Sequence, residues 1–200
     1  FVDVAEPNKD FVSTVQKQAS DPIVIGSLES VVINEELAKN GILELLDSFQ
    51  REAAIGTNLY LMISEGEAME ILQGKYGNRS TAAHLTSLIE QNMKRRDLPQ
   101  TNLHVFLNDY YKKGKNPNLP IIIKQEDKVK INGIAIFDEA KLATKVPIKD
   151  LFFFKLLVDS YTLGVYEMEL SNGENVVLKS IRSNRNFNIE GTKEFPKISV

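Results

Sequence analysis

Two histidines, His84 and His104, are the side chains best suited to act as general bases at neutral pH. A serine nucleophile needs such a base, and a zinc site needs two or three ligands at set spacings. No Gly-x-Ser-x-Gly turn surrounds a serine, and neither His-x-x-x-His nor His-x-x-Glu-His occurs. The sequence has no cysteine, which excludes thiol nucleophiles and disulfides. We therefore interpret both histidines as ordinary surface or boundary residues.

Adjacent carboxylates occur twice and could supply an acid and a base. Glu35-Glu36 follows Asn34, a favourable N-cap, so the positive end of a helix explains this pair. Asp138-Glu139 separates two strand-like runs, which is typical of a polar hairpin turn. The sequence therefore predicts no catalytic residue, no cofactor-binding residue, no cofactor and no metal ligand.

A short glycine motif, Gly74-Lys75-Tyr76-Gly77, resembles a phosphate-binding loop only in its residue types. It lacks the spacing of a P-loop, and its neighbours do not run from strand to helix. The end of a helix followed by a turn is the simpler interpretation.

Residues 89–115 concentrate cations around Tyr110 and Tyr111. Three carboxylates accompany six cations: Lys94, Arg95, Arg96, Lys112, Lys113 and Lys115. We interpret the region as a cationic helix end followed by a solvated loop. Attraction to an anionic membrane surface is the first functional alternative, and stacking on nucleic acid is the second.

Length and composition indicate a folded globular chain. The 200 residues are 42% apolar and 26% charged, with a net charge of -3. Residues 1–118 carry 12 basic and 16 acidic side chains, and residues 119–200 carry 12 and 11, so neither half has the basic excess typical of nucleic-acid binding. The longest strongly apolar run, residues 151–158, is too short to span a bilayer.

Helical signals predominate before residue 112. We expect helices near Pro7, after Asn34 as far as Gly41, over residues 42–49, from a Ser64 cap to Leu72, and from a Ser80 cap to residues 94–96. Strands are expected at residues 23–25, 31–33 and 58–63, and His104 is expected to enter an extended stretch.

Strand signals predominate after the loop that Gly114, Pro117 and Pro120 predict at 112–120. Strands are expected at residues 121–123, 129–137, 141–146, 164–170, 176–180 and 186–189, with a helix over residues 148–158. The triplet at residues 152–154, Phe-Phe-Phe, covers nearly all sides of that helix, which favours burial in the core. An edge that faces a partner is the alternative.

These elements define an α+β fold, with a mixed sheet and flanking helices followed by a smaller, strand-rich second domain. The predicted division is a helix-rich α+β domain at 1–118 and a strand-rich α+β domain with one helix at 119–200. The 112–120 loop is the expected boundary.

Three stretches, in order, resemble one protein family. Residues 25–33 lead into Glu-Glu-Leu-Ala and Gly41, which is similar to the family's Gly-His-Leu segment, strand and Glu-Glu-Leu-Ala. Residues 61–72 resemble its strand followed by Lys-Gly-Lys-Ala and Ile-Leu. Residues 131–137 resemble its Gly-Leu-Ala-Val-Phe segment. Ser27 replaces a frequent histidine, and Glu65 and Glu67 replace lysines, which puts any basic role there in doubt.

The family is the GerAC-type, or Ger(x)C, lipoprotein: the C subunit of nutrient germinant receptors in endospore-forming bacteria. The resemblance implies a lipid-anchored protein on the outer face of the spore inner membrane, working with membrane subunits A and B. Its anchor cysteine is expected outside this chain. The chain is expected to be a central fragment, with the N-terminal part of the N-terminal domain missing and the family's C-terminal domain absent.

The leading hypothesis is a non-enzymatic lipoprotein subunit that acts in spore germination through protein–protein contacts with subunits A and B. It predicts an exposed apolar or mixed patch larger than a monomer normally carries. The alternative is an extracytoplasmic small-molecule or peptide-binding module, which a concave pocket would favour. A nutrient ligand has no predicted location, and nucleic acid is not an expected partner. A hydrolase is disfavoured by the scarcity of histidines and the missing nucleophile turn.

Overall fold

The structure is a computed structural model that describes residues 17, 26, 28–56, 58–158, 164–180, 184–192 and 195–199. The helix expected near Pro7 and the strand expected at 23–25 lie outside these residues. The strands are β1 (Ser30–Asn34), β2 (Tyr60–Glu65), β3 (Asn118–Gln125), β4 (Lys128–Asp138), β5 (Lys141–Pro147), β6 (Gly164–Glu169), β7 (Asn175–Ser180), β8 (Asn188–Gly191) and β9 (Pro196–Ser199). The α-helices are α1 (Glu35–Asn40), α2 (Leu43–Arg51), α3 (Ala68–Leu72), α4 (Thr81–Lys94), α5 (Leu103–Tyr111) and α6 (Leu151–Val158).

A five-stranded mixed sheet organises the fold, in the order β1-β2-β3-β4-β5. The first three strands are parallel, and β4 and β5 add to them in antiparallel fashion. Two separate antiparallel hairpins, β6-β7 and β8-β9, follow. This confirms the predicted α+β fold with a mixed sheet and a smaller strand-rich part after it.

Both faces of the sheet are covered, because successive side chains of each strand point to opposite sides. In β2, Leu61 and Ile63 enter one core while Met62, between them, enters the other. Helices α1, α2 and α5 cover the first face, and α3, α4 and α6 cover the second. The central strands are nearly continuous apolar runs in the sequence because both of their faces are buried.

Asparagine and serine caps start the helices as the sequence predicts at two positions. Asn34 accepts a hydrogen bond from the Glu36 amide, and Ser80 accepts one from the Ala83 amide. The prediction that Ser64 caps a helix is wrong. Ser64 lies buried inside β2, and α3 begins only at Ala68.

The extended stretch predicted at His104 is also wrong, because this residue lies in α5. Asn102 caps the helix by accepting a hydrogen bond from the Val105 amide at 2.8 Å. Leu103, Phe106 and Leu107 then recur at helical spacing and are buried.

The loop expected at 112–120 is shorter than predicted, since β3 already begins at Asn118. This strand pairs with β2 on one side and with β4 on the other. The sheet is therefore continuous across the predicted 118/119 boundary, and the division of the chain into domains at that position stays a prediction. Strand β9 has no counterpart among the predicted elements.

Candidate functional site

A cluster of charged side chains joins the ends of β1 and β2 to β5. Lys145 Nζ lies 2.9 Å from a Glu65 carboxylate oxygen and 3.1 Å from a Glu35 oxygen. Lys39 Nζ lies 3.2 Å from the other Glu35 oxygen, and the Asn132 side-chain amide donates to Glu65. We call Glu35, Lys39, Glu65, Asn132 and Lys145 the charged cluster.

Two backbone features assemble the charged cluster. Glu35 and Glu65 lie where the parallel strands β1 and β2 end, because Asn34 pairs with Ser64 in the sheet register. Asn132 is the extra residue of a bulge in β4, since Ile121 pairs with Gly133 and Ile122 pairs with Ile131.

In the charged cluster the pKa values of the two carboxylates are lowered and that of Lys145 is raised. All three therefore shift away from neutral pH. Hydrogen bonds from Lys145 and Asn132 lower the pKa of Glu65. Burial acts to raise the pKa of Glu35, but hydrogen bonds from Lys145 and Lys39 outweigh it, so the net shift is downward. The hydrogen bond to Glu65 raises the pKa of Lys145. A general acid or base works best with a pKa near the working pH, so this arrangement favours a structural ionic link.

The two histidines and the Asp138-Glu139 pair, considered above for catalysis, have surroundings that indicate structural roles. His84 stacks on Tyr76 with ring centroids 5.1 Å apart, and His104 lies on the rim of a surface groove. Asp138-Glu139 forms part of the β4-β5 hairpin turn, where Glu139 and Ala140 both have positive φ as a two-residue type I′ turn requires. Among the described residues, no group of three or more potential ligands could hold a metal ion.

A central groove of about 1140 Å³ separates the α4–α5 connection from α6. It is lined by Arg96, Leu98, Pro99, Gln100, Val105, Asp109, Gly114, Lys115, Asn116, Asn118, Ile136, Phe154 and Val158. Asp109 accepts a hydrogen bond from Lys115 at 3.0 Å. The side-chain oxygen of Asn118 is buried and has no hydrogen-bond partner within the described part of the chain. The groove thus combines apolar walls with polar side chains.

A second, smaller groove of about 620 Å³ runs between α2 and α5, and we call it the α2–α5 groove. Its floor is apolar, formed by Phe49, Ile55, Leu103 and Leu107. Its rim carries polar and cationic side chains: Gln50, His104, Asn108, Tyr111 and Lys112.

Exposed apolar side chains concentrate after the five-stranded sheet. In the described part of the chain, all exposed large apolar side chains except Tyr111 lie between Ile148 and Ile198. The burial expected for the Phe-Phe-Phe triplet is therefore corrected: Phe153 is 44% exposed, because the buried side of α6 is formed by Leu151 and Lys155.

One face of the β6-β7 hairpin lies beside the exposed apolar side chains of α6, so the two elements form one apolar surface. The Phe153 and Tyr166 rings lie 4.6 Å apart, and the register places Leu178 opposite Tyr166, with Met168 two residues along on the same face. We call Phe153, Leu157, Val158, Met168 and Leu178, all exposed, the α6–hairpin surface. Neither this surface nor the two grooves could be located from sequence, because each depends on how separate elements meet.

Within the described residues, no helix has the length and apolar character needed to cross a membrane.

Comparisons with known proteins define the class. The family described as "Spore germination protein N-terminal domain" matches residues 5–124. The spore germination protein GerQC of Bacillus cereus is 30% identical over 198 residues, which is 98% of this chain and 55% of the relative. The crystal structure of the GerBC protein shares the fold, with a TM-score of 0.59 and 14% identity over 94% of this chain and 54% of that one.

The chain therefore belongs to the GerAC-type family of germinant receptor C subunits, as its sequence motifs indicate. It spans about half the length of the relatives it matches.

Proposed function

We propose that this chain is part of a C subunit that supports a nutrient germinant receptor by binding membrane subunits A and B, without catalysing a reaction. Membership of the GerAC-type family supports the assignment to germinant receptor C subunits. The observation that carries the proposed mechanism is the α6–hairpin surface, because such an exposed apolar area is what a protein contact buries.

Three features of this surface suit an interface. Phe153 and Met168 are large side chains of the kinds enriched in interface centres. The stacking of Phe152 on Tyr166, with centroids 5.9 Å apart, fixes the hairpin beside α6, so less order is lost on binding. The five side chains of the α6–hairpin surface are uncharged, which lowers the cost of removing water from them, and Arg185 donates a hydrogen bond to the Val158 carbonyl at 3.0 Å.

We further propose that the protein lies on the outer face of the spore inner membrane, held there by a lipid anchor whose cysteine is outside this chain. The family's role in spore germination supports a spore location.

Co-purification tests the proposed contacts. The full-length protein is tagged in its spore-forming host and purified from spore membranes as wild type, as Leu157→Glu with Leu178→Glu, and as Val177→Glu. We expect the wild type and Val177→Glu to retain subunits A and B and the double variant to lose them. Val177 is a matched control because it is 58% exposed on the opposite face of the same hairpin. Retention of both partners by the double variant would overturn the proposed contact surface.

A second candidate function is the binding of a small molecule or peptide, and the central groove favours it. Its volume of about 1140 Å³ is large enough for a short extended peptide, and Gln100, Asn116 and Asn118 line it with polar side chains. Thermal unfolding with amino acids, sugars, nucleosides and short peptides tests this function. A ligand of the groove should raise Tm in the wild type and not in Asn118→Leu. An absence of any shift, or the same shift in both proteins, would exclude the groove as the site.

A further inference from the structure

The loop after α5 carries three lysines and contains no carboxylate of its own. Residues 112–116 are all exposed and contain Lys112, Lys113 and Lys115. Lys115 is paired with Asp109, with Nζ and the carboxylate oxygen 3.0 Å apart. Within the part of the chain that the structure describes, Lys112 and Lys113 have no ion-pair partner.

Two other helix ends bring arginines to the same loop. Arg51, the last residue of α2, is paired with Asp47 at 2.7 Å and follows Gln50, which lines the α2–α5 groove together with Tyr111. Arg96 lies just after α4 and lines the central groove together with Lys115. Cations from three helix ends therefore surround one loop, although they come from distant parts of the chain. We call Arg51, Arg96, Tyr111, Lys112 and Lys113 the cationic face.

An aromatic side chain and an apolar recess complete this surface. Tyr111 is 66% exposed, and its ring meets Tyr110 edge-to-face with centroids 5.0 Å apart. Tyr111 and Lys112 stand together on the rim of the α2–α5 groove, whose floor is apolar. Tyrosine with adjacent lysines is the combination that membrane proteins place at the level of lipid headgroups.

We propose that the cationic face rests on an anionic phospholipid surface, with Lys112 and Lys113 contacting headgroup phosphates and Tyr111 lying at the headgroup level. This inference rests on the proposed membrane location and deepens it, because it specifies which side of the chain faces the lipid. An anionic lipid surface suits the site better than an acidic protein. Lys112 and Lys113 are both exposed and adjacent in one loop, so a flat anionic surface can reach both.

Charge makes the proposal specific to this face. The whole chain has a net charge of -3, so an anionic surface repels it on average. Attraction must therefore come from a local excess of cations within about 10 Å of the lipid, the range over which charges act at 0.1 M salt. Each exposed cation near an anionic membrane contributes enough that losing two lowers binding about 30-fold.

Vesicle sedimentation with the purified 200-residue chain tests the inference. The vesicles are equal parts phosphatidylcholine and phosphatidylglycerol, compared with phosphatidylcholine alone. We expect binding to the anionic vesicles only, declining as salt is raised. Lys112→Gln with Lys113→Gln should weaken binding about 30-fold. Both residues are exposed, so the variant should keep the wild-type Tm.

Lys124→Gln with Lys128→Gln is the matched control. It removes the same charge from two exposed lysines beside the β3-β4 turn, where Glu126 and Asp127 separate them. The control should bind as the wild type does. Either an absence of binding to anionic vesicles or an equal weakening by both variants would overturn the proposal. The assay contains no receptor subunits, so its failure leaves the proposed contacts with A and B standing, and loss of co-purification leaves this proposal standing.

Discussion

Lys145 connects three parts of the fold at the scale of single residues. It lies on β5, and its ammonium reaches Glu35 at the start of α1 and Glu65 at the end of β2. The sequence explains Glu35 as a charge in the first turn of a helix, and the structure confirms that position. It does not reveal the partner 110 residues away, because such a pair depends on the path of β5 over α1.

Replacing Lys145 by methionine should destabilise the chain. The substitution keeps much of the side-chain volume but leaves Glu65 and Glu35 without the cation between them. Lys145 is partly exposed, so we expect the free energy of unfolding to fall by about 1 kcal/mol, the upper end for exposed ion pairs. Urea unfolding measures the change. Arg51→Met, which removes an exposed pair with Asp47, should leave the urea midpoint unchanged, and an equal fall in both variants would contradict the account.

The same cluster predicts how stability depends on pH. The pKa values of Glu35 and Glu65 are lower in the folded chain than the ordinary 4.5, so their contribution is complete above that value and is lost as pH falls through the folded pKa values. The pKa of Lys145 is raised above the ordinary 10.5. Its contribution to stability is therefore present below 10.5 and is lost as pH rises through the higher pKa of the folded chain. Urea midpoints measured across acid pH should fall less for Glu65→Gln than for the wild type. Parallel curves for the two proteins would refute the assignment.

Gly133 controls the shape of the sheet at the scale of elements. Its φ of +148° is in the region that favours glycine, and a Cβ there would collide with the backbone carbonyl of Val146. This glycine forms the bulge with Asn132, and it allows β5 to pass close to β4.

Gly133→Ala should therefore cost at least about 2 kcal/mol of unfolding free energy, because strain and a backbone clash act together. Chemical denaturation of the purified variant measures the loss. Gly56→Ala serves as the control, since nothing lies within 4 Å of the added methyl group. Similar stabilities for the two alanine variants would show that the bulge tolerates a side chain.

Most elements could be predicted from the sequence, and the failures have physical causes. Caps and apolar spacing predict α1, α2 and α4 because both act within a few residues. Helix α5 was missed because its apolar residues also suit a strand, and only packing against the sheet decides between them. Ser64 is a good cap by type, yet it continues the buried strand β2 instead. The grooves and the α6–hairpin surface depend on tertiary contacts, which local patterns do not encode.

The whole molecule presents two chemically different areas outside its cores. The cationic face lies around the ends of α2, α4 and α5, and the α6–hairpin surface follows the five-stranded sheet. These two areas correspond to the two proposed contacts, one with lipid and one with protein. The order of the motifs along the chain predicted the family. The sequence offers the exposure of Phe153 only as the alternative expectation, because a helix that is apolar all round usually lies inside the core.

Nutrient germination of spores tests the central claim most directly. The host strain keeps the receptor to which this subunit belongs and lacks its other germinant receptors, and the subunit's gene is deleted and then restored in variant forms. The account predicts that deletion abolishes germination on nutrients while a non-nutrient trigger still works. The wild type and Val177→Glu should restore the nutrient response, and Leu157→Glu with Leu178→Glu should not. Nutrient germination that persists without the gene, or that the double variant restores fully, would contradict the account.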